Sequence, residues 1–178
     1  MAKKDEKTAK KSKNDEKKID VGDVPQSALL IHKQYLKDMS FENPNAPGIL
    51  HRVDQRPEMD MNILLDVQKQ ESDDHKHLYE VVLTLNATAK RQDETMFLAE
   101  IIYGATASVH EDLKEEQHHP LLFVEVPQLM FPFARQILAN ATQSGGYMPL
   151  QLAPVDFRGM YMQRFAEARK QQKEAKKA

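Results

Sequence analysis

From Tyr79 to Ala89 the chain alternates, with Val82 the one apolar residue out of step. Tyr79, Val81, Leu83, Leu85, Ala87 and Ala89 are apolar or aromatic, and Glu80, Val82, Thr84, Asn86 and Thr88 stand between them. Successive side chains of a strand point to opposite faces, so this run predicts a strand with one face buried. Met59 to Val67 does the same, with Met59, Met61, Ile63, Leu65 and Val67 against Asp60, Asn62, Leu64 and Asp66. The polar stretch Lys69 to His77 separates the two strands. Gln92 to Glu94 is a turn of hairpin length, and Thr95 to Val109, rich in apolar and β-branched residues, predicts a further strand. Leu29 to Glu42 alternates more loosely through Leu29, Ile31, Tyr35 and Met39, and Asn43 to Gly48, with two prolines and a glycine, opens a long irregular connection. The result is a four-stranded antiparallel, meander-like sheet.

The period then changes. Between Leu113 and Ser144, the residues Leu129, Met130, Phe133, Ile137, Leu138 and Ala141 recur at three and four, a helical stripe. Pro120 and Pro127 predict a short helix, a break and a longer helix that stops at Gly145 and Gly146. Tyr147 to Pro154 is a proline-punctuated connector, and Asp156 caps a last helix carrying Phe157, Met160, Tyr161, Phe165 and Ala168. Strands followed by helices make the fold class α+β, with helices packed on one face of the sheet. The expected organisation is a disordered lysine-rich extension at 1–27, one folded domain at 28–165, and a basic C-terminal end at 166–178.

Charge is unevenly placed. Residues 1–18 carry a net +4, residues 164–178 another +4, and residues 19–163 a net −10. An acidic body argues against a nucleic-acid binder and favours basic partners. There is no cysteine, which excludes disulfides, thiolate metal sites and cysteine nucleophiles. No window approaches the ~18 apolar residues of a membrane span, and no apolar segment follows the charged N-terminus. A soluble cytoplasmic chain without direct membrane insertion is expected. No glycine-rich phosphate loop or nucleophile-elbow pattern is present, so no cofactor and no catalytic residues are assigned. His75 with His77, and His118 with His119, lack partners at metal-ligand spacing and are read as solvated loop residues; no metal is expected.

Two features ask for a function. Alternation in the last strand puts Leu98 and Glu100 on one face and Phe97, Ala99, Ile101 and Tyr103 on the other. The second face must be covered, by the chain's own helices or by another subunit. The first carries an acid among apolar neighbours, as does the first strand with Asp38 and Glu42. It is either an ordinary solvated sheet face or an acidic docking surface. Secondly, Ile49, Leu50, Leu121, Leu122 and Phe123 lie outside clear periodic segments, and nine methionines add adaptable apolar surface. These are either ordinary core or a groove for apolar segments, with Leu50, Leu121, Phe123, Met130 and Phe133 as lining candidates.

Tyr35 to Pro47 (YLKDMSFENPNAP), Phe97 to Gly104 (FLAEIIYG) and Val126 to Phe157 resemble the SecB family of bacterial protein-export chaperones, in consistent order over about Leu29 to Phe165. The resemblance implies a tetramer built as a dimer of dimers, binding of unfolded precursor proteins, and their delivery to the ATPase SecA, without ATP hydrolysis by the chain itself. It assigns Asp38, Glu42, Leu98 and Glu100 to SecA docking, and Ala99, Ile101 and Tyr103 to the dimer–dimer interface. The lysine-rich extension is longer than the family leads one to expect, and the long connection lacks an aromatic carried there by some relatives. A small α+β enzyme and a single-client or antitoxin-associated chaperone are the rival readings.

Overall fold

The computed structural model describes residues 28–52 and 57–164; the N-terminal extension and the region from 165 onward, with Phe165 and Ala168, lie outside the described residues. Four strands form, β1 (Leu29–Glu42), β2 (Glu58–Gln70), β3 (Leu78–Arg91) and β4 (Glu94–Val109). All neighbouring pairs are antiparallel, and the order across the sheet is β1-β4-β3-β2. The meander is therefore only β2 to β4. β1 joins the far edge by pairing with β4, so the connection from Asn43 to Pro57 crosses the sheet. Its short 3-10 turn, Gly48–His51, drops Ile49 into the core.

The alternation is realised as burial. On one face Val81, Leu83, Leu85, Ala87 and Ala89 of β3 and Phe97, Ala99, Ile101, Tyr103, Ala105, Ala107 and Val109 of β4 are all buried. The residues between them on β3 are only partly covered. The buried face is closed by a continuous helical run, α1 (Glu115–Pro120), a π-helical turn (Leu121–Glu125) and α2 (Val126–Ser144). The break expected between the prolines does not occur. The N–H of Val126 reaches the carbonyl of Leu121, five residues back, which carries the helix past Pro127, a residue with no N–H to give. This run is long and apolar enough, by length and composition, to cross a membrane, contrary to the sequence expectation; its apolar side packs on the sheet instead. Val126, Met130, Phe131, Ala134 and Leu138 are buried there, and each large side chain contributes roughly 1.5–3 kcal/mol. Beyond the connector, Asp156 Oδ1 accepts the N–H of Gly159 at 2.9 Å, the expected cap of a helix at 157–164.

Histidines hold the end of the sheet opposite the β3–β4 turn. His118 is buried rather than solvated. Its Nε2 donates to the carbonyl of Leu113 at 3.1 Å, which leaves Nδ1 to accept from the Tyr79 hydroxyl at 3.0 Å. His77 meets His118 edge-on at 4.8 Å, and His32 lies 4.4 Å from His75. The turn between β2 and β3 is thereby tied to both α1 and β1. Burial pushes the His77 pKa down, helped by His118, Lys69 and Lys76 and partly opposed by Glu111. Burial, then His75, pushes His32 down. A histidine whose folded pKa lies below its unfolded value takes up its proton more readily in the unfolded chain, so stability falls as pH drops through 6.5. Urea midpoints should accordingly be lower near pH ~5.5 than near pH ~7.5, and His77→Gln should flatten that dependence. Equal midpoints would discount the histidine pairs.

Candidate partner-binding surfaces

The uncovered face of the sheet gathers the four residues singled out for docking. In the β1–β4 pairing Asp38 stands opposite Ile102, Ser40 opposite Glu100, and Glu42 opposite Leu98. Facing residues of an antiparallel pair share a side, so Asp38, Glu42, Leu98 and Glu100 lie together on the open face. Leu98 is exposed, and among the described residues none of the three acids enters a salt bridge. Glu80 of β3 differs. Its Oε1 accepts from Lys37 Nζ at 2.8 Å and from the Tyr35 hydroxyl at 2.5 Å. Those two donors hold the Glu80 carboxyl below its ordinary range. Burial, with the same hydrogen bond, pushes the Tyr35 phenol up to about 12. Glu80 is thus satisfied within the chain, whereas Asp38, Glu42 and Glu100 present uncompensated charge.

Ala99, Ile101 and Tyr103 occupy the other face, with exposures of 4, 0 and 8 % in a single chain. The chain's own α2 covers them, and the Phe133 ring stacks on Tyr103 at 6.5 Å. Any influence they have on assembly therefore passes through α2. Among the apolar side chains left outside on that side are Leu129 and Phe133 of α2 and Leu36 and Met39 of β1. Met39 also lines a crevice of about 330 Å³ between β1 and α2.

Where the crossing connection meets the connector after α2, an apolar groove of about 380 Å³ opens. It is lined by Leu50, Met59, Met96, Phe97, Tyr147, Met148 and Leu150, with Arg52 and Arg91 among its polar groups. Hydrogen bonds tie its two walls together. Asn43 Nδ2 donates to the carbonyl of Gly145 at 3.0 Å, while Asn43 Oδ1 lies 2.7 Å from the Tyr147 hydroxyl, which also lies 2.8 Å from the Met96 carbonyl. Buried Thr142 accepts the N–H of Leu150 at 2.9 Å and returns its own hydroxyl hydrogen to the helix. Of the five expected lining residues, only Leu50 is here. Met130 is fully buried core, which corrects its assignment, because its place on the stripe faces the sheet. Phe133 is on the outer surface of α2. Leu121 and Phe123 are half-buried in the π-helical turn, Phe123 in a small apolar pocket with Ile63, Leu65, Phe157, Met160 and Tyr161. The methionines were expected only collectively, as adaptable surface, and the connector not at all; Met148, 89 % exposed, is the clearest of the residues not named. The signal was the run of large apolar side chains in a proline-punctuated connector.

A larger cavity, about 560 Å³, sits at the histidine end and is lined by Asp74, His75, His77, His110, Glu111 and Asp112. Among the described residues no group of three His, Asp or Glu could hold a metal ion.

A sheet covered on one side, an unpaired acidic face and a methionine-lined groove define a protein built to bind other chains. The profile of a family described as preprotein translocase subunit SecB matches residues 23–168. A protein-export protein SecB of Bartonella quintana is 43 % identical over 149 residues, covering 84 % of this chain and 90 % of that protein. One from Rhodospirillum centenum is 44 % identical over 133 residues, covering 75 % and 77 %. Among solved structures, a SecB-like chaperone of Mycobacterium tuberculosis in complex with an antitoxin peptide superposes with a TM-score of 0.59 at 16 % identity, covering 72 % of this chain and 91 % of that one, a likeness of fold. The chain belongs to the SecB family of protein-export chaperones.

Removing the Thr142 hydroxyl orphans the partly buried N–H of Leu150. Thr142→Val should cost about 1–3 kcal/mol and expose the connector at 145–151 to protease. Urea unfolding with limited proteolysis checks both, and unchanged cleavage would mean the connector is held some other way.

Proposed function

We propose that this chain is a cytoplasmic holding chaperone. It takes unfolded precursor chains into the groove between the crossing connection and the connector, and passes them to the SecA ATPase through the acidic open face. The observation that carries the reading is the separation of the two surfaces. The groove opens on the helix-covered side of the sheet, and the unpaired acids Asp38, Glu42 and Glu100 stand on the other. A client held in the one leaves the other free.

The chemistry asked of the groove is modest. An unfolded chain exposes apolar and aromatic side chains that folded proteins hide. A groove lined by methionines repacks around varied shapes, so sequence preference is low. One such site binds weakly. Several copies acting on one long client raise avidity by about 10²–10⁴ through effective concentration alone. No bond is made or broken, so no catalytic residue, metal or cofactor is part of the proposal. Assembly into a tetramer would supply the copies, and the exposed apolar set Leu36, Met39, Leu129 and Phe133 is the surface we assign to it. Ala99, Ile101 and Tyr103 would support that contact from beneath α2. The peptide-bound mycobacterial relative favours a second reading, a chaperone for one dedicated client.

Paired variants test the division of labour. Leu50→Ser with Met148→Ser should weaken capture of several unrelated unfolded proteins while leaving SecA affinity as it was. Glu100→Lys or Asp38→Lys should do the reverse. Calorimetry reads both; if each variant weakened both partners alike, the two surfaces would not be separate, and binding of a single client out of the panel would favour the dedicated reading. For assembly, Phe133→Asp should lower the solution mass measured by light scattering while the circular dichroism spectrum stays native. An unaltered mass would remove α2 from the interface.

A further inference from the structure

β1 departs from regular pairing twice. Ile31 stands opposite Ala107 and Lys33 opposite Thr106; Leu36 stands opposite Tyr103 and Asp38 opposite Ile102. Each time β1 advances two residues while β4 advances one, so His32 and Lys37 are the extra residues of two β-bulges. Each bulge moves the alternation by one. Ile31 pairs on the helix side; past His32 the residues on that side are Gln34 and Leu36; past Lys37 they are Met39 and Phe41. Asp38 and Glu42 reach the open face because the second bulge restores what the first reversed. If Lys37 were drawn into regular pairing, the two acids would turn toward the helices and Met39 and Phe41 toward water.

The side chains around Lys37 converge on one acceptor. Lys37 Nζ and the Tyr35 hydroxyl converge on Glu80 Oε1, at 2.8 and 2.5 Å. Tyr35 lies across β4 directly over Gly104, where a Cβ would stand 2.7 Å from two ring carbons. Only glycine lets the ring lie so close to the sheet. We propose that Tyr35, Lys37, Glu80 and Gly104 form a clamp that holds the second bulge in place, and that they are positioning residues of the SecA-docking surface, setting the face on which Asp38 and Glu42 stand. The proposal rests on the docking reading above.

The sign of one variant separates the clamp from simple electrostatics. Lys37 is a cation beside Asp38, so removing it makes the face more negative and should tighten binding of a basic partner if charge alone matters. If the clamp acts, Lys37→Met weakens SecA binding instead, by on the order of tenfold, and Lys37→Arg keeps it. Gly104→Ala, which changes no charge and touches no docking residue, should weaken binding in the same direction by displacing Tyr35. In an Asp38→Asn, Glu42→Gln background Lys37→Met should cost little more, since both acids it positions are gone. Calorimetry of the full chain with purified SecA gives all of these values, and capture of an unfolded client reports that the fold is intact. Binding by Lys37→Met that is equal or tighter, or a full additional loss in the Asp38→Asn, Glu42→Gln background, overturns the clamp. If Asp38→Asn itself leaves affinity unchanged, the docking reading falls, and the clamp's role in docking falls with it.

Discussion

One helix covering one side of one sheet sets up everything else in this chain. α2 lies on a face built from Leu83, Leu85 and Ile101 interleaved with Ala87, Ala89, Ala99, Ala105 and Ala107. The alanines keep the sheet surface shallow, so Met130, Phe131 and Leu138 can descend onto it at the close packing typical of interiors. Among the described residues no second layer packs on the opposite face, which carries mostly the polar half of each alternation. A face those residues leave open is wet or meets a partner. Its unpaired acids and exposed Leu98 and Leu64 suit the second role better than a purely solvated surface would.

Topology does for the groove what packing does for the open face. β1 and β2 are consecutive in the chain but occupy opposite edges of the sheet, roughly three strand spacings, or ~14 Å, apart. The connection between them has to cross, and it does so on the helix side, anchored by buried Ile49. The connector leaving α2 arrives at the same place. Two irregular segments side by side cannot pack as tightly as helix on sheet, and the gap between them is the apolar groove. Asn43, Tyr147 and Thr142 fix how wide it is, since their hydrogen bonds run from one segment to the other or to the helix behind.

What could be read beforehand was whatever is local. Period two gave β2, β3 and β4 their faces correctly, and the stripe in α2 gave its buried side only in part, since Met130, Leu138 and Ala141 are buried but Leu129 and Phe133 are exposed. Asp38 and Glu42 were placed on one face correctly because no bulge lies between them. Tyr35 was grouped with Ile31 and Met39, yet the bulge on either side turns it to the open face, and no local pattern announces a bulge. Met130 and Phe133 share a stripe three residues apart; the stripe is wide enough that one is core and the other rim. His118 looked like a loop histidine because the groups that satisfy it, the Tyr79 hydroxyl and the Leu113 carbonyl, come from other elements. The groove was least legible of all, since it belongs to the crossing of two segments about a hundred residues apart.

The two surfaces also differ in the force each relies on, and that difference matters for a chaperone that must both hold and release. Apolar contact in the groove depends little on ionic strength. Attraction to the open face works through exposed carboxylates, and at physiological salt exposed charges are screened beyond about 8 Å. On the proposed reading, docking therefore needs the partner's cations brought close to Asp38, Glu42 and Glu100, which an open sheet face permits and a recessed site would not. That openness also explains why geometry on this face has to be set so carefully. With no pocket walls to guide a partner, the positions of a few charges are all it has to recognise, and a single residue of slippage in β1 would hide two of them.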